Sequence, residues 1–328
     1  MTSYLPQIHT NPFLGPVNNY SSTHPDACPA MHHSHHRPLN VAYATSMRNH
    51  PFGTALYTPL ARREFHPGSC GYFDAAGSWN PITDVSDGPR LAAQGYASVE
   101  EELEKAPAET GIQWGPLASE NVVGRSVDFS GGLSSELAAA LPANFSAEFA
   151  FSNTSSGGAL LVTSPPIVHE RFYHESMFKQ WVIRNADRLV RQRSEIFQYG
   201  LCVVTKTWST QDCAIHMWDE VGKEVKVGFD VGVEAIGQLG PGVGWSVNKK
   251  DGGWMRYRAS QNDGGLVVFF DGIRFKSRKI RIRGEVLKPE TRTYSETIQM
   301  PLYETVTTVP VPGDQDSIFA IDCEPFFL

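Results

Sequence analysis

The side chains with the most chemical potential in this chain are its histidines, cysteines and clustered bases. His32, His33, His35 and His36 crowd beside Cys28. Imidazole and thiolate bind transition metals, so the cluster reads either as a metal site or as a solvated low-complexity patch. No carboxylate is fixed nearby to orient the rings, which favours the patch, and no metal is assigned. His169 and His174 neighbour Glu170 and Glu175 but stand five residues apart, not the four that align two ligands on a helix. His216 alternates in a strand with Trp218 and reads as structural. Cys70, Cys202 and Cys213 are nucleophile candidates without a signature that supplies a base. The chain has no GxSxG elbow, HExxH, P-loop lysine motif or GxGxxG. Gly240-Pro-Gly-Val-Gly244 fits a hairpin turn better than a phosphate cradle. No catalytic set emerges, although triads assemble from distant residues and an enzyme stays open as an alternative.

The bases have a clearer pattern. Arg184, Arg188 and Arg191 are spaced four and three apart and align on one helix face, with Lys179 and Arg193 flanking them. Arg274 to Arg283 carries six bases and no acid, whereas residues 284–328 carry eight acids and two bases. An acidic stretch abutting a basic block can mean intramolecular cover of a charged surface, but charge runs usually lie on wet faces, which favours an ordinary solvated strand followed by a loose tail. The formal net charge of −7 argues against a nucleic-acid binder.

These residues need elements to position them. Phe178, Trp181, Val182, Ala186, Leu189 and Val190 recur at helical spacing and predict a helix over about Glu170–Phe197, with Gly200 as its stop. Ser98-Val-Glu-Glu101 has capping-box spacing and predicts a short helix, and Ser134–Leu141 another. Strands are expected at Leu201–Trp208, Cys213–Trp218 and Leu266–Phe270, with Asp271-Gly272 as a turn and Ile280–Ile282 in a last strand.

Two regions alternate over unusual lengths. From Val221 to Ala235 the odd positions are almost all apolar and the even ones polar or glycine, and Val243, Trp245 and Val247 alternate on the way back. Val123, Val127 and Phe129 form a second run, returning through Phe145, Ala147, Phe149 and Phe151. A strand of about ten residues, apolar on one side only, is also what a membrane β-hairpin requires. No apolar run reaches the roughly 18 residues of a spanning helix.

The chain holds 328 residues, 41% hydrophobic and 19% charged, a globular composition with an ample core. Five cysteines without a CxxC pair indicate neither a disulfide framework nor a zinc ribbon, as expected of reduced thiols in the cytosol. Met1–Pro12 lacks the pattern of a secretory signal. Residues 1–60 are rich in Pro, Asn, Ser, Thr and His and predict a disordered or loosely attached leader, with the folded domain over 61–283 and an acidic tail over 284–328.

Four segments resemble fungal gasdermin-like cell-death proteins. Phe65-His-Pro-Gly-Ser-Cys-Gly71 is similar to that family's N-terminal motif, and Gln198–Thr210 to the strand after its long helix. Cys213-Ala-Ile-His-Met-Trp218 and Gly265-Leu-Val-Val-Phe-Phe-Asp-Gly272 resemble later segments. The resemblance implies an α+β fold, a twisted, mainly antiparallel sheet with surrounding helices. It implies a pore former that binds anionic lipids, oligomerises with gasdermin-like subunits and causes regulated cell death. No cofactor is implied. The protein would be cytoplasmic when inactive and at the plasma membrane when active. The two alternating regions, about 121–153 and 219–258, would be the membrane hairpins. Val127, Phe129, Phe145, Phe149, Val225, Val227, Phe229, Val231, Val233, Val243 and Trp245 would then face lipid. Lys179, Arg184, Arg188, Arg191, Arg193, Lys276, Arg278, Lys279, Arg281 and Arg283 would bind the anionic surface, at about 1 kcal/mol each. The acidic tail would be a restraint, released by a protease or partner. The chain lacks the large inhibitory domain of animal gasdermins, and its leader is longer than the resemblance covers.

Two other readings compete. In one, the long strands curl around a pocket lined by Trp181, Trp208, Trp218, Trp245 and Trp254, giving a soluble β-rich enzyme or small-molecule binder. In the other, exposed tryptophans serve as sugar platforms on a carbohydrate-binding sandwich.

Overall fold

Runs rich in β-branched and aromatic residues dominate the chain, and the computed structural model pairs almost all of them antiparallel. It describes residues 38–127, 145–155, 157–231, 245–247, 253–281, 304–311 and 314–326, which belong to one compact unit, Arg37–Leu328. The order is α1 (Leu39–Ser46), β1 (Thr54–Ala61), β2 (Ser69–Phe73), β3 (Trp79–Asp84), α2 (Gly88–Ala93), β4 (Glu109–Ile112), β5 (Leu117–Ala118), β6 (Val122–Val127), β7 (Phe145–Asn153), β8 (Gly158–Thr163) and β9 (Ile167–Arg171). Then come α3 (Ser176–Gln192), α4 (Ile196–Tyr199), β10 (Leu201–Thr210), β11 (Asp212–Trp218), β12 (Glu224–Val231), β13 (Trp245–Val247), β14 (Met255–Arg258), β15 (Leu266–Arg281), β16 (Glu304–Val311) and β17 (Asp314–Pro325).

The largest sheet is built around the antiparallel pair β10–β15. β15 takes β1 beside its first half and β17 beside its second, while β10 takes β9 at one end and β2 at the other. Bulges between Val204 and Lys206 and between Trp208 and Ser209 strengthen the local twist that lets one strand change partners along its length. This gives the α+β class with a mainly antiparallel, curled sheet and few helices.

Two smaller sheets stack on it, in the orders β14-β11-β8-β5 and β13-β12-β7-β6. The first is buried on both faces. Ala159, Leu161, Cys213 and Ile215 pack with Phe269, Ile167 and Tyr43 on the main-sheet side. Leu160, Val162, Ala214 and Trp218 pack with Phe151, Val225, Val227 and Trp245 of the third sheet. A strand buried on both faces reads as a continuous apolar run, which is why Ala159–Val162 shows no alternation. On the far side of the main sheet, Phe178, Trp181, Val182, Ala186 and Leu189 of α3 bury against Leu201, Val203, Ile273, Phe275 and Ile321.

Several expectations change here. Folded structure begins well before residue 61: α1 buries Tyr43, Met47 beyond its end is also buried, and β1 buries Ala55. The acidic tail is no loose appendage over its described residues, because β17 pairs with β15 from Ile273 to Arg281 and β16 pairs with β17. Asp271-Gly272 is not a turn but the middle of β15. A Cβ at Gly272 would stand 2.5 Å from the Val203 carbonyl oxygen, so glycine is there for close strand approach. Residues 98–101 open no helix. The Ala97 amide donates to Asn185 Oδ1 and its carbonyl accepts from Trp181 Nε1, both at 2.8 Å, which fastens this segment along α3 instead. The long helix starts at Ser176 because Val168–Arg171 is held in strand pairing with β10. Residues 134–141 lie outside the described residues.

Candidate functional site

The two alternating regions come together in one sheet. β7 pairs with β12 over eight register positions, from Glu224↔Ser152 to Val231↔Phe145. β6 flanks β7 and β13 flanks β12, each antiparallel. Among the described residues this four-stranded sheet shares no backbone ladder with the other two. Side-chain packing holds it instead: Phe151, Val225, Val227 and Trp245 are buried against the middle sheet, with Phe149 and Val247 partly buried beside them. The register puts Ala150, Lys226, Glu224, Ser152 and Arg125 on the other face, where Arg125 and Glu224 form an ion pair across β7. The β7–β12 pair is therefore apolar towards the protein and polar outside, whereas in β6 it is Val122 that packs inward and Val123, opposite Ser152, that is exposed on the outer face.

Trp245 is pinned twice. Its indole Nε1 donates to Ser164 Oγ at 2.9 Å, and the Arg256 guanidinium lies 4.5 Å from its ring centroid. Arg256 is in turn fixed by Asp212 at 2.7 Å, and Arg258 by the same carboxylate at 2.9 Å. Burial alone would raise the Asp212 carboxyl, but these two guanidinium groups hold it below the usual range.

The basic stripe on α3 is exposed but not idle. Arg184 pairs with Glu100 at 2.7 Å, Arg191 with Asp187 one turn earlier at 2.9 Å, and Arg188 lies 5.9 Å from the centre of the Tyr96 ring. Lys179 is half-buried and Arg193 exposed. Exposed pairs of this kind contribute about 0–1 kcal/mol each, so they leave the bases available to a stronger anion. The basic half of β15 faces the acidic strand β17: Arg274, Lys276, Arg278, Lys279 and Arg281 stand opposite Glu324, Asp322, Ala320, Phe319 and Ser317. Lys276 pairs with Glu324 at 2.6 Å.

The structure brings Phe149, Val225, Val227 and Trp245 into one buried face and places Phe145, Phe229 and Val231 at register positions of that same face, but Val127 stands opposite Glu148, on the other face, because β6 pairs Ser126 with Phe149. Phe129, Val233, Val243 and Arg283 lie outside the described residues, as do Cys28 and the four histidines beside it. No family model matches the chain, and comparison with curated proteins finds no significant relative. Among the described residues no group of His, Cys, Asp and Glu could hold a metal ion, and no helix is long and apolar enough to cross a membrane.

The five tryptophans do not line one pocket. Trp181 packs under α3, Trp208 between the main and middle sheets, and Trp218, Trp245 and Trp254 between the middle and outer sheets. Nor are they exposed platforms, since Trp181, Trp208, Trp218 and Trp245 are buried and Trp254 is partly so. Burial raises the thiols of Cys70 and Cys202 well above their ordinary value and that of Cys213 to about 12, so none is an activated nucleophile. His169 stacks on Trp208, with ring centroids 4.5 Å apart and planes 7° from parallel, and Nδ1 lies 3.4 Å from Glu109.

Glu170 and Asp212 are missed by sequence reading. Glu170 is 6% exposed and is held by Arg62 at 2.6 Å and Lys105 at 3.0 Å. Burial alone would raise its carboxyl, but hydrogen bonds and charge from Arg62 and Lys105 bring it down to about 2. Its partners lie 108 and 65 residues away, so no local pattern marks the cluster.

Proposed function

We propose that this chain is a pore-forming protein. It binds anionic membrane lipids through the α3 bases and the basic half of β15, oligomerises with like subunits and inserts β6–β7 and β12–β13 as amphipathic hairpins, permeabilising a membrane in regulated cell death. One observation carries this reading. The two longest alternating segments of the sequence, far apart in the chain, pair through β7 and β12 into a sheet that, among the described residues, shares no backbone ladder with the other two and packs on the middle one through its apolar side chains.

A sheet without a shared ladder can leave as a unit. Its apolar face then needs a new apolar partner, and acyl chains supply one at no hydrogen-bonding cost, provided every edge is closed by a neighbouring subunit. The described part of the acidic segment supports a restraint: β17 occupies the edge of β15 beside its basic half, and Glu324 takes up Lys276. A protease or a partner that loosens this cover would activate the protein.

The test is dye release from vesicles of phosphatidylcholine with and without phosphatidylserine. A protein carrying an engineered protease site at Glu290 is compared before and after cleavage. Release from anionic vesicles only, faster after cleavage, supports the reading. No release from anionic vesicles by either form overturns it.

A further inference from the structure

A phosphate on serine carries about 1.5–2 negative charges at pH 7, so it acts most strongly where the serine is set among arginines. Arginine-directed protein kinases recognise a guanidinium three residues before the acceptor through carboxylates of their own. That spacing occurs at Arg191 with Ser194, Arg274 with Ser277 and Arg292 with Ser295. The fold separates the first two. Ser277 stands inside β15, paired with Ile321, and its hydroxyl oxygen is buried. Ser194 lies just beyond the end of α3, and residues 191–195 are exposed throughout. Ser295 lies outside the described residues.

The backbone at Ser194 is suited to being drawn out. α3 ends at Gln192, and Arg193 is extended, with φ −138° and ψ 85°. The chain is anchored again at Ile196, whose side chain is buried. Opening the few exposed residues between these points disturbs no core cluster. The charges around it are equally accessible. Arg193 is exposed, and Arg191 pairs with Asp187 at 2.9 Å, both side chains in solvent. Such an exposed pair is weak, and a dianionic phosphate displaces it through charge-assisted hydrogen bonds to the guanidinium fork. Glu195 and the negative end of the α3 dipole oppose a phosphate here, so its partners are the two arginines.

We infer that Ser194 is a phosphoacceptor for an arginine-directed kinase, and that its phosphate takes up Arg191 and Arg193 and switches off the C-terminal end of the α3 basic stripe. The bond from Ser194 Oγ to the γ-phosphorus of ATP forms as the bond to ADP breaks, and the hydroxyl proton passes to the kinase's aspartate. The effect on membranes rests on the lipid-binding role proposed for α3; the modification and its pairing do not. The experiment treats the full-length protein with ATP and the catalytic subunit of the cyclic-AMP-dependent kinase, and maps phosphopeptides by mass spectrometry. Phosphate should appear at Ser194 and not at Ser277, and Ser194→Ala should remove it. The phosphorus NMR signal should titrate below the roughly pH 6 of a free phosphoserine, because guanidinium favours the dianion, and Arg193→Gln should move that midpoint back up. Modified protein should bind phosphatidylserine vesicles about tenfold or more weakly, while Ser194→Ala, treated alike, keeps the parent's affinity. The inference is overturned if Ser194 stays unmodified in the folded protein, if the midpoint ignores Arg193→Gln, or if a parent that binds the vesicles binds them equally once modified. A parent that does not bind them counts against the lipid-binding reading instead, and the phosphopeptide map and the midpoint then decide the inference.

Discussion

Glu170 shows how much one side chain can contribute here. Its carboxylate lies in the sheet between two cations and is ionised down to about pH 2. An unfolded glutamate titrates near 4.3, so the native carboxyl is depressed and the favourable linkage is complete above about pH 4.5. It is lost as pH falls from there through about 2, below which both states are protonated. Glu170→Gln should therefore cost about 2–3 kcal/mol at neutral pH. Chemical denaturation at pH 7 and pH 2.5 checks it, and the gap from the parent should shrink at the lower pH. Gly272 carries a second prediction. Gly272→Ala brings a Cβ against the Val203 carbonyl and should cost about 1–3 kcal/mol by forcing β10 and β15 apart. A thermal melt measures that loss, and an unchanged Tm would show that the pair can relax.

Elements were legible wherever periodicity survived burial on one face. The α3 stripe and the alternating strands of the outer sheet follow directly from spacing, whereas β10, buried almost throughout, shows itself by its run of β-branched residues. Folded structure at Leu39–Ala61 was not legible, because α1 offers few buried anchors within a polar, proline-flanked stretch. The docking of β17 on β15 was hidden for another reason: strand pairing between distant segments leaves no local mark, and charge segregation hinted only at cover. The hold on the outer sheet was equally hidden, since Trp245, Ser164, Arg256 and Asp212 come from separate elements. That hold is testable at its own scale. Arg256→Gln removes the cation from the Trp245 ring and one partner of Asp212. A cation–π contact is worth about 0.5–2 kcal/mol, so opening of the outer sheet should become roughly 2- to 30-fold more frequent. Hydrogen exchange should report this in β7 and β12 while β10 and β15 keep their protection. Uniform loss of protection would mean that the three sheets open together.

At the level of the whole molecule, the acidic segment is both a cover and a structural part. Ile321 and Cys323 pack in the core under α3, and Phe326 packs with Phe65, Phe73 and Phe270. Ile321 and Phe326 each contribute about 1.5–3 kcal/mol when buried, a large fraction of the roughly 5–15 kcal/mol by which a domain is stable. Cutting the chain and deleting the segment therefore have different consequences. Truncation before Gly284 removes β16 and β17, opens those core clusters and leaves the edge of β15 unpaired, which invites edge-to-edge association. The truncated protein should melt at least 10 °C lower or aggregate on expression. Cleavage at an engineered site at Glu290 breaks one peptide bond and leaves every contact of β17 in place. The nicked protein should elute in size-exclusion chromatography as the intact one does, with both fragments together. Anionic vesicles would then compete for Lys276 and the neighbouring bases, and the fragments should separate on the membrane and not before. A truncated protein that is monodisperse with an unchanged Tm would show that β16 and β17 are dispensable to the fold. Nicked fragments that part without lipid would show that the peptide link, not the packing of Ile321, Cys323 and Phe326, keeps the cover closed.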